Sequence, residues 1–233
     1  MEMASEPATG LADALRAHTH ALHAEAERTG YVRRVLRGEA ERAGYALLIA
    51  NLLPAYRALE AGLERHRAAS GVRCIAEPTV YRTPALESDL AALAGRDWRR
   101  SLAHLPEGER YAARIAQLAA DDGVGLIAHA YVRYLGDLNG GQVLSRVLAR
   151  SPGLTADELA FYDFPDIADR EAFKIRYRRA FDRAGREVGA HAALLNETAF
   201  AFRLNIDLSL AVAHAVSGHE PLTPGRPRPA PGS

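Results

Sequence analysis

The sequence has almost no cysteine. Cys74 is the single cysteine in 233 residues, so the chain cannot form an intrachain disulfide. Nothing in the cysteine content therefore indicates an oxidising compartment. We expect this lone thiol to be a bystander without a catalytic role.

The sequence also lacks an excess of charge of either sign, and it lacks long apolar runs. Basic and acidic residues number 29 each, which argues against a generic nucleic-acid-binding protein. No uninterrupted apolar run approaches the ~20 residues that span a bilayer. The acidic first ten residues have no apolar signal core. We therefore expect a soluble cytoplasmic protein without nucleic-acid or membrane partners.

Strand-like alternation is nearly absent, and helical periodicity dominates the chain. Apolar residues recur at helical spacing in seven stretches: Leu11–Arg28, Arg42–Arg67, Leu86–Ala94, Glu107–Ala120, Leu126–Arg150, Asp169–Val188 and Ala190–Val216. Pro54 predicts a kink in the second stretch, residues 69–84 predict a loop, and Thr155 with Glu158 has capping-box spacing.

These patterns predict an all-α protein of seven or eight helices. The helices are expected to form one domain over residues 11–217. A flexible N-terminus is expected over residues 1–10, and a disordered tail rich in proline and glycine over residues 218–233.

Three glycines interrupt the predicted helix Leu126–Arg150. Gly136, Gly140 and Gly141 lie within six residues, and each glycine costs about 1 kcal/mol in a helix interior relative to alanine. Glycine permits a bend and lets a partner approach the backbone closely. On spacing alone, close helix–helix packing and a ligand lying on the helix explain these glycines equally well.

A single carboxylate, Asp137, lies between these glycines in an otherwise apolar segment. A partly buried carboxylate needs hydrogen-bond partners, and Tyr131, Arg133 and Tyr134 are close enough in sequence to supply them. The residues alone allow either a structural Asp–Arg pair or an acid that organises water beside a reactive centre.

Three of the nine histidines cluster in the first predicted helix. His20 and His23 share a helix face, whereas His18 and His20 do not. A zinc pair would need further ligands, and no carboxylate or cysteine completes a site at a standard spacing. Because a helical histidine is more often a surface residue than a ligand, spacing alone does not choose among the three.

The segment from Tyr131 to Gln142 closely resembles the signature of the heme oxygenases, and its sequence is YVRYLGDLNGGQ. In that family a kinked distal helix lies over one heme face, and its glycine backbone touches the porphyrin. The resemblance therefore implies a single-domain, multi-helix bundle in which Gly136, Gly140 and Gly141 contact heme. One departure is Asn139, which stands where many relatives carry serine.

The segment Leu22–Glu27 resembles the proximal segment of the same family. This resemblance implies that His23 is the axial ligand of the heme iron, which suits a neutral imidazole nitrogen. Glu27 lies one turn later and could accept a hydrogen bond from the other imidazole nitrogen, which would fix the ring orientation. Under this interpretation His18 and His20 are solvent-exposed.

The resemblance covers about residues 11–216 and implies further residues around the heme. Lys174 and Arg178 are four apart on one helix face, and two cations suit the two propionates of heme. The remaining residues implied in this way are Arg16 and Tyr131 near the propionates, Phe202 against the heme, Asn205 in a hydrogen-bond network, and Tyr56, Tyr111 and Arg133 with Asp137 in the distal water network.

The function implied by the resemblance is oxygen-dependent cleavage of heme b, which is both substrate and cofactor. The products would be the α isomer of biliverdin, ferrous iron and carbon monoxide. Asp137, Arg133 and Tyr56 would form the catalytic group. An external ferredoxin or a flavin/NAD(P)H reductase would supply electrons, docking near a basic patch of Arg33, Arg34 and Arg37, and we expect a monomer.

Three alternatives remain open at this stage: a heme-binding protein, another enzyme of the same helical fold, and a structural scaffold. A heme-binding protein without degrading activity would keep His23 but is expected to lack Asp137 or one glycine. A thiamin-degrading enzyme needs a reactive cysteine, and a di-iron oxidase needs Glu-x-x-His ligands, whereas His191 and His214 follow Val188 and Ala211 at that spacing. A purely structural scaffold does not explain the three glycines.

Overall fold

The structure is a computed structural model that describes residues 10–151 and 153–218. No β-strand occurs within these residues, so the all-α prediction is confirmed. The predicted flexible ends fall almost wholly on residues 1–9 and 219–233, which lie outside the described residues. The α-helical segments are α1 Leu11–Arg28, α2 Gly30–Leu36, α3 Arg42–Arg65, α4 Val72–Ile75, α5 Thr83–Ala94, α6 Trp98–Ser101, α7 Pro106–Ala120, α8 Leu126–Ala130, α9 Gly136–Leu148, α10 Arg170–Val188 and α11 His191–Ser217.

The helix count differs from the prediction because several segments are short. α2, α4 and α6 have four to seven residues each, too few for their apolar periodicity to be recognised in the sequence. α5 begins at Thr83, three residues before the predicted start, because Pro84 occupies its first turn, where a missing N–H is harmless. α3 continues through Pro54 as one helix to Arg65.

The last helix, α11, contacts much of the helix bundle. It packs against α1, α2, α3, α7 and α8 and buries apolar residues such as Leu194, Leu208 and Val212. By length and composition alone α11 could also cross a membrane. In the structure it packs against five other helices.

The glycine-containing helix is built from α8, a π-helical turn at Tyr131–Leu135, and α9. We call this combined segment, Leu126–Leu148, the distal helix. The sequence predicted irregularity at the glycines, and the structure locates it in the turn that directly precedes Gly136. A π-helical turn inserts one residue and shifts the phase of all that follows, and such turns occur frequently at functional sites.

A buried carboxylate on α5 fixes the segment that supports the distal helix. Asp89 is fully buried and accepts the backbone N–H groups of Ala160 and Phe161, each at 2.9 Å. The ring of Phe161 then packs edge-on against Tyr56, with ring centroids 5.5 Å apart. Tyr162, the next residue, lies against Gly141 of α9. Thr155 and Glu158 form the predicted capping box at the start of this segment.

Replacing Asp89 with alanine is expected to lower the free energy of unfolding by about 2–6 kcal/mol, because two N–H groups lose their acceptor at about 1–3 kcal/mol each. Urea denaturation monitored by circular dichroism measures this change. Asp89→Asn is the matched control, because it keeps the shape and one acceptor oxygen and should lose less. An Asp89→Ala variant as stable as the wild type would contradict this account.

Candidate active site

A cavity of about 500 Å³ lies between α1, the distal helix, α10 and α11. This volume falls within the roughly 300–1,000 Å³ usual for small-molecule sites. Seven of the residues predicted from the sequence line it: Arg16, His23, Tyr131, Gly136, Gly140, Arg178 and Phe202. The sequence therefore identified residues from four separate segments that the fold brings to one cavity.

Gly136 and Gly140 present bare backbone to this cavity. A Cβ atom built on either residue meets no other atom within 4 Å, so helix–helix packing does not account for these two glycines. Gly141 differs, because a Cβ there would lie 3.0 Å from Cδ1 of Tyr162. Gly141 lies outside the cavity lining, and the packing alternative explains it.

His23 projects from α1 into the same cavity with a largely exposed side chain. Its Nδ1 atom lies 3.7 Å from Oε1 of Glu27, within ion-pair range but longer than a hydrogen bond. The ring of Phe202 on α11 lies 6.1 Å from the imidazole, centroid to centroid. The histidine thus has a carboxylate beside one nitrogen and an aromatic neighbour, while Glu27 itself lies outside the lining.

Two arginines give one edge of the cavity a positive charge. Arg16 comes from α1, and Arg178 from α10 donates to Oδ1 of Asp13 at 2.7 Å. Burial raises the pKa of Tyr131, although the charges of both arginines oppose this shift. Lys174 lies one turn before Arg178, pairs with Glu171 at 2.5 Å, and is outside the cavity lining.

Asp137 points away from the cavity into a buried hydrogen-bond network. The hydroxyl of Tyr56 donates to its Oδ2 atom at 2.5 Å, and Nη2 of Arg133 lies 3.6 Å from its Oδ1 atom. Nη1 of Arg133 donates to Oδ1 of Asn205 at 2.5 Å. These four predicted residues therefore form one network behind the glycine-lined wall.

The electrostatics of this network keep Arg133 positively charged and make the carboxyl group of Asp137 easier to protonate. Burial raises the pKa of Asp137 above its ordinary value, although the charge of Arg133 and the hydrogen bond from Tyr56 oppose this. Burial alone would lower the pKa of Arg133. The electrostatic interactions of Arg133 with Tyr56, Tyr111 and Asp137 are larger together, and they raise this pKa. Asp137 can therefore take up a proton more readily than an exposed aspartate.

The family is decided by comparison with known proteins. A sequence profile described as Heme oxygenase matches residues 9–211. The chain belongs to the heme oxygenase family. It is 36% identical over 201 residues to heme oxygenase 1 of Nostoc, covering 86% of this chain and 84% of the relative. It is 34% identical over 201 residues to human heme oxygenase 1, covering 85% of this chain and 70% of the relative.

Solved structures of heme oxygenases share this fold. The heme complex of heme oxygenase-1 from the cyanobacterium Synechocystis superposes with a TM-score of 0.85 at 32% identity, covering 90% of this chain and 95% of that one. Heme oxygenase from Leptospira interrogans superposes with a TM-score of 0.81 at 32% identity, covering 87% and 99%. Together, the family and the fold show an enzyme whose general function is heme degradation.

Several residues of this heme oxygenase site were not predicted from the sequence, or were predicted to have another role. His20, expected to be simply solvent-exposed, is exposed but also lines the cavity, as do Thr19 and Asn139. The spacing of Arg16, Thr19 or His20, and His23 on one helical stripe could have indicated the two α1 residues. Arg82 is nearly buried, and its charge lowers the pKa of Asp137, but it is 55 positions away and carries no local signal.

Proposed function

We propose that the protein cleaves heme b to the α isomer of biliverdin, ferrous iron and carbon monoxide. Molecular oxygen and electrons from an external ferredoxin or flavin/NAD(P)H reductase would be consumed. The observation that carries this proposal is the pair of bare glycines, Gly136 and Gly140, in the same cavity as His23. A flat ligand can lie against such a wall, because no side chain occupies it.

The residues of the cavity fit heme as the substrate. His23 offers an imidazole nitrogen to the iron, and Glu27 is near enough to orient the ring. Arg16 and Arg178 offer cations to the propionates, and Lys174 could join them by releasing Glu171. When bound, heme would supply the iron centre at which oxygen is reduced.

The protein's contribution would be positioning and proton supply. Gly136 and Gly140 would confine the space above the ring, and the edge cations would set its in-plane rotation, which selects the meso carbon. Asp137 would hold and release a proton on its carboxyl, kept in place by Tyr56 and Arg133. Phe202 would cover part of the ring, and Asn205 would hold Arg133.

The decisive experiment adds heme to the purified protein, then a reductase or ascorbate, in air. The Soret band is expected to fade as a biliverdin spectrum grows, and chromatography of the product identifies the isomer. A Soret band that stays unchanged under these conditions would indicate a heme-binding protein without degrading activity and would overturn the proposal.

Asp137→Ala is expected to bind heme normally but to turn it over about 30-fold more slowly. This falls below the usual 10²–10⁴ effect of a lost proton donor, because Tyr56 and Arg133 remain. Single-turnover absorbance measures the rate. Asp137→Asn is the matched control, since it keeps the shape and an acceptor for Tyr56 but cannot hold the acidic proton. Turnover by Asp137→Ala at the wild-type rate would rule out the proton-supply role.

The electron donor is proposed to dock on a basic depression beside α2. Arg33 and Arg37 line it together with Glu27 and Leu36, and Arg34 lies on the same helix. We also propose that the protein is a cytoplasmic monomer, because a transient electron donor needs free access to this face.

A further inference from the structure

Three tyrosines form a series of neighbouring rings that runs from the distal side of the site to the protein surface. Tyr56 lies behind the glycine-lined wall, and its ring centroid is 6.3 Å from that of Tyr134. The ring of Tyr134 is in turn 6.1 Å from that of Tyr81, centroid to centroid. Tyr56 and Tyr134 are fully buried, whereas Tyr81 is half-buried. Core packing alone explains rings that touch, so any further role must depend on the hydroxyl groups.

A carboxylate accepts the hydroxyl hydrogen at each end of this series. The hydroxyl of Tyr56 donates to Oδ2 of Asp137 at 2.5 Å. At the other end, the hydroxyl of Tyr81 donates to Oε1 of Glu64 at 2.7 Å. Burial raises the pKa of Asp137, so this carboxyl group takes up a proton readily. Glu64 is exposed and also pairs with Arg67 at 2.9 Å. Because one-electron oxidation makes a phenol strongly acidic, a tyrosine with a proton acceptor is much easier to oxidise than one without.

The middle tyrosine and a side branch of aromatic rings lack such an acceptor. Oη of Tyr134 is buried and has no hydrogen-bond partner among the described residues. Its ring can pass an electron between its neighbours, but it cannot readily lose a proton and hold the oxidised state. A branch from Tyr56 runs through Phe161 and Tyr162 to Tyr45. Neither tyrosine of this branch donates to a carboxylate within the described chain, and Oη of Tyr45 is buried without a partner there. Tyr81 is therefore the favoured end point.

We propose that Tyr56, Tyr134 and Tyr81 conduct oxidising equivalents from the site to the protein surface. The oxidant is a peroxide that reaches bound heme and oxidises this centre without cleaving the ring. Tyr56 gives one electron to the oxidised centre and its proton to Asp137. Tyr81 then gives an electron to Tyr56 through the ring of Tyr134, and Asp137 returns the proton. Tyr81 releases its own proton to Glu64 and becomes a neutral phenoxyl radical. This protective role rests on the proposed function, because the oxidant forms only where heme is bound.

The surface end of the series completes the cycle. The radical of Tyr81 takes one electron from a reductant in solution, such as a thiol or ascorbate, and Glu64 returns the proton. Reduction of the peroxide to an alcohol and water needs two electrons, which two passages supply, and two protons, which come from solvent. Tyr56 is fully buried, so a dissolved reductant cannot reach it directly. The route thereby spares oxidisable cavity residues such as His23 and Tyr131.

The first test adds an organic hydroperoxide to the heme-loaded protein without reductant and traps radicals with a nitroso spin trap. Electron paramagnetic resonance is expected to show a tyrosyl signal, and peptide mass spectrometry to find the trap on Tyr81. In Tyr81→Phe the surface adduct should be lost, because the oxidised state stays on buried Tyr56. Tyr45→Phe, on the side branch, is the matched control and should leave the adduct on Tyr81. An adduct on a different residue of the wild type, or an unchanged signal in Tyr81→Phe, would overturn the proposal.

The second test separates the ring of Tyr134 from its hydroxyl group. Tyr134→Phe keeps the ring and should keep the adduct on Tyr81, whereas Tyr134→Leu removes the ring and should lose most of it. The Soret band verifies that each variant is loaded with heme. Labelling of Tyr81 at the wild-type level in the Leu variant, or its loss in the Phe variant, would show that the ring is not the bridge. If the Leu variant does not fold, Tyr134→Phe and Tyr81→Phe decide.

The third test concerns the proton that Tyr81 releases. Glu64→Gln keeps an acceptor oxygen for the hydroxyl but cannot take up the proton, so freeze-quenched samples should show slower radical formation. Arg67→Gln is the matched control, because it removes the other partner of Glu64 and should leave the rate unchanged. Equal rates in Glu64→Gln and the wild type would contradict the proposal.

The outcomes also distinguish this inference from the proposed function. A protein that degrades heme but forms no radical on Tyr81 would overturn the inference alone. A protein that shows no Soret band after heme is added would overturn both, because no oxidant could then form at the site.

Discussion

Replacing His23 with alanine is expected to eliminate the ferric heme spectrum of the wild-type complex and to slow heme turnover about 10³-fold. Loss of an outer-shell partner of a metal ligand already costs about 10–100-fold, and the ligand itself should cost more. His23 is the candidate because it lines the cavity with Nδ1 3.7 Å from Glu27. Heme titration followed by absorbance, and turnover with ascorbate, measure the two effects.

His18→Ala is the matched control for this experiment. His18 lies on the same helix, is exposed, and does not belong to the cavity lining, so its removal should leave both readouts unchanged. Exogenous imidazole should partly restore the spectrum of His23→Ala by filling the position that the side chain left. An unchanged heme spectrum in His23→Ala, or its loss in His20→Ala alone, would contradict the assignment.

Enlarging Gly140 is expected to stabilise the ligand-free protein and to impair the enzyme. Gly140→Ala should raise the free energy of unfolding by about 1 kcal/mol, because alanine is the better helix former and its Cβ meets no atom within 4 Å. Gly140→Leu should weaken heme binding about 10²-fold, since overpacking by about 3 kcal/mol corresponds to two factors of ten. Thermal unfolding and heme titration measure the opposite changes.

Gly141→Ala provides the control for Gly140 at the next position. Its Cβ would press on the ring of Tyr162 at 3.0 Å and does not face the cavity. Heme affinity should therefore stay at the wild-type value, while the gain in helix propensity is offset by the tight contact. A Gly140→Leu variant that binds heme as tightly as the wild type would show that this wall does not contact the ligand.

Helical spacing accounts for the two faces of the distal helix that the structure shows. Gly136 and Gly140 are four residues apart and must share a face, whereas Asp137 follows Gly136 and must point elsewhere. The structure agrees, with the glycines at the cavity and Asp137 against Tyr56. The π-helical turn at Tyr131–Leu135 was not predictable, because it depends on how the buried side chains around it pack.

The role of Gly141 shows where spacing stops being informative. All three glycines carry the same helix penalty, and only the position of Tyr162 separates the third from the other two. Tyr162 reaches Gly141 because Asp89, on a different helix, holds the backbone of residues 160 and 161. No pattern within the distal helix contains this information.

The sequence by itself determined the all-α class and most of the long helices, because helical periodicity is a local property. Its resemblance to the heme oxygenases supplied the set of residues of which seven line one cavity. Only the tertiary structure decided that Arg82 lies near Asp137, that Arg133 binds Asn205, and that Glu197 contacts His129. The physical reason is that burial and hydrogen-bond partners arise from segments far apart in the chain. The same contacts shift the pKa values that proton transfer depends on, so the chemistry of the site belongs to the folded protein.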